Sequence, residues 1–273
     1  MQIDSVKILA NGVEMPRLGL GVYKVGDQEV VQPVRWALEA GYRSVDTASF
    51  YGNEAGVGRA LKESGLDRSQ VFITSKVWNT EQGYRETLAA FDRSLLRLGF
   101  DYLDLYLIHW PVPGRFKETW RALETLYREQ RVRAIGVSNF QIHHLEELIQ
   151  AAEVIPMVNQ VELHPRLSQT PLRAYCQGHG IAMEAWAPLA RGRILDDPLL
   201  GEIGARHGRD AARVILRWHL QNDVIAIPKS VHRERIIGNA DIFDFELSSR
   251  EMGAIEGLNR DLRIGPDPDN INF

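Results

Sequence analysis

Four residues of this sequence suit one chemistry: Asp46, Tyr51, Lys76 and His109, each closing or closely following a run rich in Val, Ile and Leu. A tyrosine hydroxyl with an ordinary pKa of about 10 is a poor acid at neutral pH, and an adjacent ammonium is expected to lower that value. Lys76 could do this for Tyr51. A carboxylate at Asp46 would keep a buried lysine charged and fixed, and His109 could hydrogen-bond and orient a carbonyl oxygen. Together they suit delivery of a proton to a carbonyl, and such a reaction needs an electron source. The only cysteine is Cys176, and no metal-ligand cluster accompanies it, so a bound hydride carrier is the expected donor. Trp186 offers a flat face to a nicotinamide, and Ser138, Asn139 and Gln160 offer hydrogen bonds to its carboxamide. After the last apolar run, Lys229, Ser230, Arg233 and Arg235 gather cations and a hydroxyl that suit a phosphate monoester such as a 2′-phosphate. Taken singly, each has an ordinary structural reading: a buried Asp46–Lys76 ion pair, a hydrogen-bonded core histidine, a rim tryptophan, a solvated helix start.

The elements that position these residues repeat along the chain. Strands are predicted at 17 to 21 (RLGLG), 42 to 46 (YRSVD), 71 to 76 (VFITSK), 102 to 109 (YLDLYLIH), 132 to 137 (VRAIGV), 156 to 161 (PMVNQV), 181 to 186 (IAMEAW) and 224 to 228 (VIAIP). Between them lie amphipathic helical patterns such as 29 to 40, 81 to 97, 117 to 129 and 143 to 152. Short connections force parallel strands with right-handed crossovers, and eight such units predict an α/β fold, a closed (β/α)8 TIM barrel. The widest interval, before the last strand, holds two helical patterns near 197 to 207 and 210 to 221, so a divided helix is expected there. Val6 to Leu9 and Val13 to Met15 flank Asn11-Gly12, a type I′ signal for an N-terminal β-hairpin capping the barrel bottom. No linker or low-complexity stretch divides the chain, and residues 1 to 273 read as one domain. Barrel enzymes react at the C-terminal strand ends, where the polar residues above fall.

The composition narrows the function further. Hydrophobic residues make up 44% and charged residues 25%, the balance of a globular protein with ample core. Lys plus Arg number 32 against 36 Asp plus Glu, so the net charge of −4 creates no field for nucleic acid or anionic lipid. No apolar run reaches membrane-spanning length and no secretory leader is read, which with the lone cysteine points to a cytoplasmic protein. Gly19 and Gly21 form G-x-G without a third glycine, so the dinucleotide fingerprint of a doubly wound sheet is missing. The Walker loop, H-E-x-x-H and G-x-S-x-G are missing too.

Seven ordered motifs resemble the aldo-keto reductase family over essentially the whole length: NGVEMPRLGLG from Asn11, GYRSVDTASFYGNE from Gly41, FITSKVW from Phe72, DYLDLYLIHWP from Asp101, IGVSNF from Ile135, NQVELHP from Asn159 and IPKSVHRERIIGN from Ile227. The resemblance implies a (β/α)8 barrel that reduces aldehydes and ketones with NADPH, and a catalytic tetrad of Asp46, Tyr51, Lys76 and His109. It implies nicotinamide contacts at Ser138, Asn139, Gln160 and Trp186, phosphate contacts at Lys229, Ser230, Arg235 and Asn239, and further cofactor contacts at Pro188, Leu189 and Val231. Within the family the chain is similar to a group of microbial diketogluconate reductases, glyoxal reductases and protozoan prostaglandin F synthases, through Trp110, the segment VPGRFKETW and the ending GPDPDNINF. By the same resemblance Tyr23, Phe50, Trp78, His109 and Trp110 wall the substrate pocket, with 265 to 273 folding over it, and the protein is a monomer. Small dicarbonyls such as methylglyoxal, aromatic aldehydes and keto sugars are the expected substrates, with NADP+ as the oxidised cofactor and no metal.

Three departures stand out. Gly238 replaces a glutamate that contacts adenine in many members, His232 replaces a small hydroxyl residue, and Ala190-Arg191 replaces a smaller polar pair, so that Arg191 is expected to touch the pyrophosphate. Two other readings compete: a nonenzymatic NADPH-sensing subunit, and a barrel glycoside hydrolase using Glu162 and Glu184.

Overall fold

The computed structural model describes residues 1–271. The hairpin strands β1 (Val6–Ile8) and β2 (Glu14–Pro16) pair antiparallel. Eight parallel strands follow: β3 (Leu20–Gly21), β4 (Ser44–Asp46), β5 (Phe72–Val77), β6 (Leu103–Ile108), β7 (Val132–Ser138), β8 (Val158–Glu162), β9 (Ala182–Trp186) and β10 (Ile225–Ala226). Each pairs with its sequence neighbour, in the order β3 to β10. The first and last strands also meet, because Gly19 N donates to Ala226 O at 3.0 Å and Ala226 N to Arg17 O at 3.1 Å. Parallel bridges at Leu18–Ala226 and Gly21–Lys229 complete the closure. The expected (β/α)8 barrel is therefore the observed fold.

Strands covered on both faces read as continuous apolar runs, which explains why β5 and β6 are buried throughout. The helices outside the barrel are α1 (Val31–Glu39), α2 (Glu54–Glu63), α3 (Tyr84–Leu98), α4 (Phe116–Arg128), α5 (Ile142–Ile149), α6 (Thr170–Gly178), α7 (Pro198–His207), α8 (Ala211–Gln221), α9 (Arg233–Ala240) and α10 (Ser249–Glu256). The wide interval before β10 holds the divided helix, and its two halves are separately capped. Asp197 accepts from Leu199 N at the start of α7, and Asp210 accepts from Arg213 N at the start of α8.

The hairpin lies at the N-terminal ends of the strands, where Asn11 Nδ2 donates to Arg133 O at 2.9 Å and both Lys7 and Arg17 pair with Asp223. Its turn differs from expectation. Leu9 N bonds Val13 O around a three-residue loop, and only Gly12 has positive φ, +86°. A type I′ turn needs positive φ at both central residues; one glycine following a tighter turn instead makes a three-residue loop with a bulge.

Closure demands close backbone approach at Gly21, where an added Cβ would stand 2.8 Å from Ile227 O. Gly21→Ala should cost about 1–3 kcal/mol, the usual penalty for overpacking. An unchanged urea midpoint for that variant would contradict the tight seam.

Candidate functional site

Asp46 ends β4 and Lys76 lies near the end of β5, in neighbouring strands whose register pairs Asp46 with Thr74. Both point into the barrel, where Lys76 is 0% exposed and Asp46 2%. Lys76 Nζ donates to Asp46 Oδ1 at 2.6 Å and to Thr47 O at 2.9 Å, and its third contact is the Tyr51 hydroxyl at 3.4 Å. Burial opposes the ammonium charge, but Asp46 and Tyr51 more than offset it and raise the lysine pKa.

Tyr51 sits on a single helical turn after β4, held from both ends. Thr47 Oγ1 donates to Asn53 Oδ1, and Asn53 Nδ2 donates to Val22 O and Val25 O, both at 2.9 Å. Ser49 Oγ donates to Lys76 O at 3.1 Å, tying the turn to β5. The expected lowering of the Tyr51 pKa is outweighed: burial pushes it up, Lys76 only partly counters, and it stands at about 12. His109, after β6, is buried, and burial followed by the Lys76 charge holds its pKa well below the usual range, so the imidazole is neutral. Its Nδ1 has no hydrogen-bond partner among the described residues.

A second network adjoins the pair. Gln160 Nε2 donates to Asp46 Oδ2 at 2.7 Å and to Glu184 Oε2 at 2.8 Å. Ser138 Oγ donates to Gln160 O, Asn139 Nδ2 to His109 O, and Trp186 Nε1 to Asn139 Oδ1. Asn139 adopts φ +65°, which aims its amide across the barrel mouth.

These residues surround a cleft of about 1250 Å³ at the C-terminal strand ends. Tyr23, Phe50, Tyr51, Trp78, His109 and Trp110 line one end. Phe50 stacks on Trp78 at 3.7 Å between ring centroids, and Trp78 meets His109 edge-on at 5.0 Å. Asp46, Ser138, Asn139, Gln160 and Trp186 line the middle, with Pro188, Leu189 and Arg191 beside them. The far end carries Lys229, Ser230, Arg235 and Asn239. Two of the expected site residues are not on this wall: Lys76 lies behind Tyr51, where its expected contact with the hydroxyl is made, and Val231 packs against the core. The Arg191 guanidinium lies 6.0 Å from the Trp186 ring centre.

The tail reaches the cleft through Pro266, while residues 272 and 273 lie outside the described residues. Ile264 N and Gly265 N donate to Glu162 at 2.6 and 2.8 Å, and Gly265 passes so near Trp186 that an added Cβ would stand 2.4 Å from the ring. Glu162 is thus engaged by the tail and His164, and Glu184 by Gln160; neither lines the cleft, which removes the geometric basis of the paired-carboxylate hydrolase. Sequence reasoning missed Asp210 and Arg213 on the wall, whereas Pro266 belongs to the tail segment expected over the pocket. The doubled helix before β10 was the available signal for the first two, since the second helix begins beside the last strand.

The arrangement can protonate a carbonyl oxygen from Tyr51, with Lys76 compensating the phenolate. The far cations and hydroxyl can hold a phosphate group, and the polar middle can orient a planar amide.

A model described as the Aldo/keto reductase family matches residues 17–260. Glyoxal reductase of Bacillus subtilis (strain 168) is 59% identical over 271 residues, covering 99% of this chain and 98% of the relative. Methylglyoxal reductase DkgA of Escherichia coli (strain K12) is 44% identical over 267 residues, covering 96% of each chain. The crystal structure of a Gox0644 variant in complex with NADPH superposes with a TM-score of 0.95 at 46% identity, covering 99% of both chains.

Glu184 supplies a pH test. Burial, then the Asp46 charge, pushes its pKa up from 4.5 to about 8. A raised folded pKa contributes stability that is complete below the unfolded value and is lost as pH rises through the folded one. Between about pH 5 and about pH 8 the wild type should therefore lose stability relative to Glu184→Gln. A difference in urea midpoints that does not change with pH would contradict the buried, protonated Glu184.

Proposed function

Since this chain belongs to the aldo/keto reductase family, we propose that it reduces small aldehydes and ketones to alcohols with NADPH, using Tyr51 as proton donor. The observation that carries this reading is the contact of the Tyr51 hydroxyl with a wholly buried, Asp46-paired Lys76 at the base of an aromatic-walled cleft. The residues present fit the cofactor. One cleft is lined by Tyr51, by the Lys229 and Arg235 cations and by the Asn139 and Gln160 amides.

When bound, NADPH supplies the hydride that attacks the carbonyl carbon. Tyr51 gives its proton to the carbonyl oxygen, so that C=O becomes CH–OH. With its pKa near 12, Tyr51 holds that proton throughout the neutral range. Lys76 stabilises the phenolate left behind, and Asp46 keeps Lys76 charged and aimed. Neutral His109 orients the carbonyl oxygen without competing as an acid. Trp186 would offer its face to the nicotinamide ring, and Ser138, Asn139 and Gln160 would hold its carboxamide. Pro188, Leu189 and Arg191 would cover the pyrophosphate, and Lys229, Ser230, Arg235 and Asn239 would hold the 2′-phosphate end, with Val231 contributing through its backbone.

Tyr23, Phe50, Trp78 and Trp110 form an apolar wall that favours small or planar carbonyl compounds. Methylglyoxal and glyoxal lead, in keeping with the names of two relatives, and aromatic aldehydes, keto sugars and a prostaglandin endoperoxide follow. Residues 1–273 act as one barrel domain, monomeric and cytoplasmic. The buried, unpaired Cys176 suits a reducing compartment, and among the described residues no helix is long and apolar enough to cross a membrane.

The test is the fall in NADPH absorbance on mixing with methylglyoxal. Tyr51→Phe should lower kcat by at least about 10²-fold, the lower range for removing a positioned acid, with NADPH affinity unchanged. Full retained activity would rule out Tyr51 as the donor.

A further inference from the structure

The cleft wall also includes Asp210, Arg213 and Gly238, the last about one helical turn from Arg235 on α9, and the proposed nicotinamide and phosphate contacts leave these residues unused. Arg213 projects from the first turn of α8 across to α9. Its Nε donates to Gly238 O at 3.0 Å, its Nη1 donates to Asp210 Oδ2 at 2.8 Å, and Asp241 Oδ2 lies 3.5 Å from Nε. Its Nη2 makes no hydrogen bond among the described residues. That nitrogen stands 3.0 Å from where a Cβ at position 238 would lie, so a side chain there would push the guanidinium aside by a few tenths of an ångström.

These contacts fix the guanidinium plane, and two nearby carboxylates offset its charge. A group so compensated is a weak phosphate ligand, but its flat face still stacks on an aromatic base and its free nitrogen still donates. Covalent geometry says what reaches it. In NADPH the 2′-phosphate and the adenine sit on adjacent carbons of one ribose, so a phosphate held at Ser230 and Arg235 brings the base to this neighbouring stretch of wall.

We infer that Arg213 is the adenine contact, placed by the clearance at Gly238, an inference that rests on the NADPH reading above. It adds affinity for both NADPH and NADH, whereas Arg235 serves the phosphate that only NADPH carries.

The experiment measures binding of NADPH, NADH and reduced nicotinamide mononucleotide, which lacks the adenosine half, by quenching of tryptophan fluorescence. Arg213→Ala should weaken NADPH and NADH by the same factor, roughly five- to tenfold for a partly desolvated stacking contact, and leave the mononucleotide unchanged. Gly238→Ala keeps the arginine and favours the helix, so it should weaken both dinucleotides without lowering Tm. A loss confined to NADPH, as expected for Arg235→Ala, would assign Arg213 to the phosphate and overturn the inference. Unchanged dinucleotide binding in both variants, with wild type binding NADPH normally, would overturn it as well. Wild-type protein that binds no NADPH would overturn the functional reading and this inference with it.

Discussion

Burying a lysine ammonium is the constraint on which the rest of the site depends. Lys76 has no exposed surface, and an unpaired charge there would cost several kcal/mol. The structure compensates it with the Asp46 carboxylate, the Thr47 carbonyl and the Tyr51 hydroxyl. Those partners come from the end of β4 and the turn that follows it. The pair can therefore form only if β4 and β5 hold their register and the turn between 47 and 53 is fixed, which Asn53 does through two backbone carbonyls. Gln160 extends the same demand across the barrel to β8 and β9, because its amide is shared between Asp46 and Glu184. One buried charge thus links four strands.

A second constraint is space. The seam leaves no room for a side chain at Gly21, and the tail crosses Trp186 only where Gly265 lacks a Cβ. The indole is held in turn by Asn139, so the tail, the tryptophan and the β7 end form one continuous wall above the reacting end. Glu162 anchors that tail with both oxygens, which turns a residue that looks catalytic by type into a support.

The barrel was legible because strands covered on both faces must be apolar along their length, and all eight runs appear as strands. Helix α2 was harder to see, since Gly56 and Gly58 weaken its helical signal. Their added Cβ atoms would stand 2.0 and 2.1 Å from the carbonyls of Asp27 and Leu98, so packing selects residues that propensity disfavours. Residue types identified Asp46, Tyr51, Lys76 and His109, but they could not weigh a neighbouring charge against burial, and the Tyr51 pKa moved up where the ammonium alone would lower it. Arg213 carries no motif; it joins the cleft through its contact with a glycine on another helix. Val231 lies within a matching motif yet faces the core, because a motif records sequence position and not side-chain direction.

A double-mutant cycle tests the central claim that Asp46 and Lys76 act as one unit in preparing Tyr51. The quantity measured is kcat/KM for NADPH-dependent reduction of methylglyoxal by wild type, Asp46→Asn, Lys76→Met and the double variant. Each single change should lose about 10²–10⁴-fold, and the double variant should lose no more than the worse single. Losses that multiply in the double variant would show that the two residues act independently and would contradict the account.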